Sequence, residues 1–185
     1  MNLTARALRC RVAGVAAIPL IAALVAAAPA TARAAEFKQA PPLKLSGLDG
    51  KTVEIKYADS RVTLVNFWAT WCLPCREEMP AINRIFQKYH ERGFKAVGLA
   101  LQSGEPTEVK EFLDSRKLGL TYPILLSTDE FAESYGDVEV VPTTYLISPK
   151  GEVIKTFFGL TGDFEKKVGM EIDRILAAPA GSRAP

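Results

Sequence analysis

The feature that most constrains this chain is a pair of cysteines in Trp71-Cys72-Leu73-Pro74-Cys75, set at the junction of two differently patterned segments. Residues 62–67 are rich in apolar and β-branched side chains and read as a buried strand. Beyond the cysteines, Met79, Ile82, Phe86 and Tyr89 recur at spacings of three and four, which predicts a helix from about 72 to 90, ending near Gly93. The first cysteine then stands where a helix begins. Unpaired backbone N–H groups and the positive end of the helix dipole favour a thiolate there over a thiol. The second lies one turn on, within reach of a mixed disulfide formed at the first. A Cys-X-X-Cys pair in this strand-to-helix setting implies a dithiol that cycles between reduced and disulfide forms.

Other uses of the pair fit the chain less well. A structural zinc site needs four ligands, and the chain offers only Cys10 and His90 besides. A c-type haem site requires His after the second cysteine, where Arg76 stands. A purely structural disulfide closing so short a loop removes little entropy from the unfolded chain and is a weak staple.

The N-terminus has Arg6, Arg9 and Arg11 and no acid, then an alanine-rich apolar run over 12–30, then Ala32-Arg33-Ala34. That is the three-part pattern of a secretory signal peptide over residues 1–34. The alternative is an uncleaved anchor, because the run approaches the ~20 residues that span a bilayer. Pro19, Pro29 and the weak hydrophobicity of alanine favour cleavage. Removing 1–34 takes four arginines and no acid from 23 basic and 21 acidic residues, so the remaining chain carries about −2. Nothing in that balance indicates a nucleic-acid surface. Export also places the surviving cysteine pair where disulfides persist.

Residues 35–177 suffice for one domain with a sizeable core, and 178–185 read as a flexible tail. Segments 43–45 and 52–55 form an N-terminal hairpin across Asp49-Gly50. Residues 94–101 form a second buried strand, and Pro106 opens a second helix through Val109, Phe112 and Leu113. A short strand over 122–126, a brief helix over 129–135, and strands 143–147 and 152–158 around Ser148-Pro149-Lys150-Gly151 follow. Residues 163–176 read as a final amphipathic helix. The expected architecture is α/β: a thioredoxin-like fold with a central mixed sheet flanked by helices and a central helix-containing insertion.

Two long motifs carry a family resemblance: the run from Leu64 to Pro80 around Trp71-Cys72-Leu73-Pro74-Cys75-Arg76-Glu77-Glu78, and Val141-Pro142-Thr143-Thr144-Tyr145-Leu146-Ile147. Over roughly 41–176 the chain resembles the exported TlpA/ResA-type thioredoxin-like thiol–disulfide oxidoreductases. The resemblance implies that Cys72 is the nucleophile, Cys75 the resolving cysteine, and that Pro142 follows a cis peptide bond facing the dithiol. Val141 N–H and C=O would then pair with a bound client strand. Asn66 replaces the buried acid of thioredoxins proper. In this group an acid three residues after the second cysteine serves proton transfer instead, which here is Glu78, while Glu77 is read as solvated. Trp71, flanking Cys72, is the contact candidate; Trp68 is read as core.

The function implied is an exported reductase of disulfides in client proteins, of the kind that serve cytochrome c maturation or copper-centre assembly. Its reductant would be a membrane thiol carrier of DsbD/CcdA type. No cofactor and no metal is implied. Val140-Val141-Pro142-Thr143-Thr144 lacks the glutamate of the Gly-Ala-Pro-Glu-Thr run common in the cytochrome-maturation branch, which leans toward a TlpA-like or more general reductase. The competing class is a Cu(I) metallochaperone using Cys72 and Cys75 as soft thiolates.

Overall fold

The computed structural model describes residues 38–136, 138–159 and 161–178. Residues 1–34 and all but the first residue of the 178–185 tail lie outside the described residues.

The sheet is organised around β3 (Val62–Trp68), every residue of which is buried. A strand covered on both faces has to be apolar along its whole length, as this one nearly is. It pairs in parallel with β4 (Phe94–Leu101) and antiparallel with β6 (Thr143–Ile147). The five-stranded order is β5 (Ile124–Ser127), β4, β3, β6, β7 (Val153–Phe158), with β5 parallel to β4 and β7 antiparallel to β6. A separate hairpin, β1 (Leu43–Ser46) with β2 (Thr52–Ile55), touches the sheet edge through a Gly47–Leu125 bridge.

Side-chain alternation along β3 divides the interior into two. Val62 and Leu64 face a layer built from α1 (Leu73–Tyr89) and α4 (Phe164–Ala177), meeting Ile82, Ile85 and Tyr89 from the first and Val168 and Ile172 from the second. Val65 and Phe67 face the hairpin side with Leu43, Tyr57, Tyr135 and Tyr145. At the far end of the first face, Trp68, Met79 and both cysteines pack with Val109 and Phe112 of α2 (Pro106–Ser115). The fold is thioredoxin-like α/β, and α2 and β5 lie between β4 and β6 in sequence, within the stretch 102–135 where the helix-containing insertion is expected.

The expected boundaries shift at three places for identifiable reasons. The strand expected over 122–126 begins only at Ile124, because Pro123 has no N–H to give; its carbonyl instead accepts from Gly98 N–H at 3.0 Å. The helix expected over 129–135 is α3 (Asp129–Glu133), after which i→i+3 bonds from Tyr135 and Gly136 tighten the chain. The strand expected over 152–158 begins at Val153, because Glu152 serves the Ser148 turn. Among the described residues, no helix is long and apolar enough to cross a membrane.

Candidate active site

The site forms where β3 ends and α1 begins. Cys72 is the N-cap of α1, with Pro74 in the first turn, where a missing N–H leaves no bond unmade. The cysteines are joined as a disulfide, Cα atoms 5.3 Å apart. Cys72 is 4% exposed and Cys75 fully buried, so Cys72 is the sulfur nearer solvent. The Cys75 amide N–H donates to Cys72 Sγ at 3.2 Å. In the reduced protein, an amide N–H at this position and the positive end of the helix dipole would both favour a thiolate at Cys72.

From the other side comes the loop preceding β6. Because β6 runs antiparallel to β3 with Phe67 opposite Thr143, the residues just before Thr143 fall beside the cysteines. The Val141–Pro142 bond is cis. The Val141 carbonyl oxygen lies 3.6 Å from Cys72 Sγ. Thr143 Oγ1 donates to Val140 O at 2.7 Å and Gly159 N–H to Pro142 O at 2.8 Å, so the loop is tied at both flanks.

Behind the dithiol, Glu78 is 1% exposed. Its Oε1 accepts from Thr144 Oγ1 at 2.9 Å, and Thr144 Oγ1 in turn accepts from Asn66 Nδ2 at 2.9 Å. Asn66 Nδ2 also stands 3.5 Å from Glu78 Oε2. Asn66 and Thr144 are partners across the β3–β6 ladder, which is why two polar residues on separate strands meet one helix carboxyl. Burial disfavours the charged carboxylate and outweighs the two hydrogen bonds that favour it, so the Glu78 pKa is pushed up to about 7. Glu77, its neighbour, is exposed.

Val141 thus meets the disulfide, packing against the cluster that holds Cys72 and Cys75, and Pro142 follows it across the cis bond. Glu78 joins them through Thr144, two residues beyond the proline, and Trp71 stands 62% exposed at the rim, whereas Trp68 is fully buried. Among the described residues, the large apolar side chains left in solvent are Trp71, Leu73, Val140, Phe158 and Met170. The first three flank the dithiol in sequence or space. Phe158 pairs with Thr143 beside Pro142, and Met170 is on α4. Thr144 was legible only as part of a motif, not as the residue that holds Glu78. The contacts of Gln102 and Ser103 with the active-site loop had no sequence signal at all. Thr70 N–H donates to Ser103 Oγ at 3.1 Å and Trp71 Nε1–H to Gln102 O at 3.1 Å.

This arrangement suits thiol–disulfide exchange: a cysteine at a helix start, a second behind it, and a carboxyl poised to hold or release a proton near neutrality. The sole histidine, His90, stacks on Phe86 at the opposite end of the 17-residue α1, about 25 Å along the helix axis. It is too far to complete a metal site with the two sulfurs.

Comparison with known proteins agrees with this chemistry. The Redoxin family matches residues 29–168. Thiol-disulfide oxidoreductase ResA of Bacillus subtilis is 34% identical over 125 residues, 67% of this chain and 68% of that protein. The thioredoxin-like protein YneN of the same organism is 34% identical over 140 residues, 75% of this chain and 80% of that protein. Among solved structures, a thiol:disulfide interchange protein of the thioredoxin family from Chlorobium tepidum superposes with a TM-score of 0.64 at 26% identity, covering 77% of this chain and 98% of that one. With the dithiol, the cis-proline loop and these relatives in agreement, the chain belongs to the Redoxin family as a thiol–disulfide oxidoreductase of the TlpA/ResA type.

Proposed function

We propose that the chain works as an exported reductase of disulfides in client proteins, with Cys72 as nucleophile, Cys75 as resolving cysteine and Glu78 as proton carrier. The observation that carries this reading is the position of Cys72. It has the Cys75 amide at 3.2 Å on one side and the Val141 carbonyl at 3.6 Å on the other, at the exposed end of the pair.

In the reduced protein the Cys72 thiolate attacks one sulfur of a client disulfide. A Cys72–client bond forms, the client S–S bond breaks, and the other client sulfur leaves as a thiolate. Cys75 gives up its proton and attacks Cys72 Sγ, which forms the intramolecular disulfide and releases the second client thiolate. Two electrons have passed to the client, and two protons are taken up by its thiols. Glu78, one turn from Cys75 and with a pKa of about 7, accepts the Cys75 proton and returns it in the next cycle. Val141 N–H and C=O pair with the client backbone beside its cysteine, with Pro142 closing the loop and Trp71 and Val140 offering apolar contact.

The reducing direction is supported by Pro74 before the second cysteine and by the resemblance to the reducing TlpA/ResA group. The leader over residues 1–34 supports delivery to the bacterial periplasm, either cleaved or retained as a tether through residues 12–30. Electrons would then come from a membrane thiol carrier of DsbD/CcdA type. Cytochrome c maturation and copper-centre assembly are the client classes of the group, and the missing glutamate after Pro142 favours a broader range than apocytochrome c alone.

The testing measurement is the reduction potential of the Cys72–Cys75 pair, equilibrated against glutathione or dithiothreitol. A value near or below about −270 mV supports the reductase; one near about −120 mV makes the protein a disulfide donor and reverses the assignment.

A further inference from the structure

Trp71 is well exposed, yet the one polar atom of its side chain is already occupied, donating to Gln102 O at 3.1 Å. What it shows to solvent is therefore the apolar face of a fixed ring. Gln102, the first residue beyond β4, has φ +48°, in the left-handed region that non-glycine residues seldom enter. Its side chain is occupied as well: Nε2 donates to Asp129 Oδ1 at 2.9 Å, at the first turn of α3. Ser103, next along, accepts from Thr70 N–H at 3.1 Å while donating to Leu101 O at 3.0 Å. Two consecutive residues after β4 thus hold two consecutive residues after β3.

Strand order gives this grip its meaning. β3 lies between β4 and β6, so the Gln102 turn approaches the active-site loop from one side and Val141 approaches Cys72 from the other. Cys72 stands between them, with the Trp71 ring on the β4 side and Val140 and Val141 on the β6 side.

We propose that Gln102 is a positioning residue. Its left-handed backbone aims the carbonyl that locks Trp71 as one wall of the client slot, and this wall selects clients carrying an apolar side chain beside the reactive cysteine. The inference rests on the reductase reading above and adds the client class to it.

The test is a single-turnover experiment with the pre-reduced full chain. The substrates are bis(2-hydroxyethyl) disulfide and two cyclic disulfide peptides that differ only in leucine or serine next to the cysteine. Wild type that fails to reduce even the small disulfide defeats the reductase reading itself. Given that reduction, the half-saturating concentration for the leucine peptide is expected to be about tenfold lower than for the serine peptide, the discrimination one apolar side chain supplies. Gln102→Val disfavours the left-handed turn, so it should raise the leucine-peptide value about tenfold and leave the limiting rate within about twofold. Gln102→Gly keeps the turn and the carbonyl, so it should stay within about twofold of wild type. Trp71→Phe, which keeps a ring but loses the donor, should match Gln102→Val without adding to it in the double variant, and it carries the test alone should Gln102→Val not fold. Equal affinity of wild type for the two peptides overturns the proposal. So does a Trp71→Phe chain with unchanged affinity, or a Gln102→Val effect that falls on the limiting rate.

Discussion

At the scale of single residues, the two sulfurs are distinguished by position alone. Cys72 is the one at the helix start and nearer solvent, so Cys72→Ala is expected to abolish thiol exchange. Cys75→Ala should accumulate a mixed disulfide between Cys72 and client, read as an adduct on a non-reducing gel. A Cys75→Ala protein with full multiple-turnover activity would rule out the two-cysteine sequence. Glu78→Gln keeps the shape and the bond from Thr144 but carries no proton. It should slow exchange by about a hundredfold, the lower end of what a positioned acid or base contributes. Its pH–rate profile should also lose the inflection near 7. The placement of the two cysteines was legible because four adjacent residues and a helix start define it. The fate of Glu78 was only half legible. Spacing puts it on the face of Cys75, but its burial depends on Thr144, which lies 66 residues away and arrives through sheet register. No local pattern encodes that pairing.

Among the elements, most of the fold could be read from periodicity, because β3, α1 and α4 each bury a continuous face and their sequences repeat accordingly. A side chain that replaces a backbone partner leaves no such pattern. Asn83 is the clearest case: in sequence it is one polar residue on an amphipathic helix, yet it is nearly buried and ties α1 to the chain leading into β5. Its Oδ1 accepts from Thr121 N–H at 2.8 Å and Thr121 Oγ1 at 2.9 Å, and its Nδ2 donates to Gly119 O at 3.1 Å. Asn83→Ala would strand a backbone N–H and a carbonyl in a partly buried place, so a loss of about 2 kcal/mol is expected in urea unfolding. The matching control is Thr121→Val, which removes only the hydroxyl bond and should destabilise by about half as much. If both variants unfold with wild type, Asn83 is not the tie between these elements.

For the molecule as a whole, the same carboxyl that serves the chemistry sets a pH dependence of stability with a definite sign. The oxidised protein is the state to measure, since its disulfide sulfurs do not titrate. In the unfolded chain Glu78 loses its proton near 4.5; in the folded protein it keeps it to about 7. Between those values the folded state binds more protons, so stability falls as pH rises through the window and is level on either side of it as far as Glu78 is concerned. The drop amounts to about 3 kcal/mol, a large share of the total for a domain of this size. The Tyr122 phenol, its pKa raised chiefly by burial and further by the Glu78 charge, stays protonated throughout and does not offset it. Surface carboxylates held low by partners, such as Asp173 beside Tyr89 and Arg92 and Glu165 beside Arg84, act in the opposite direction. They are common to wild type and to Glu78→Gln, so the difference between the two proteins isolates the buried group. Urea unfolding of both in oxidised form from about pH 4 to 8 should give curves that converge at the acid end. Toward neutrality they should separate, with Glu78→Gln the more stable by roughly 1–3 kcal/mol. Parallel curves would mean that Glu78 ionises normally in the fold and holds no proton for Cys75. The separation, set against slower exchange in the same variant, would measure how much stability this fold gives up to keep a proton beside its dithiol.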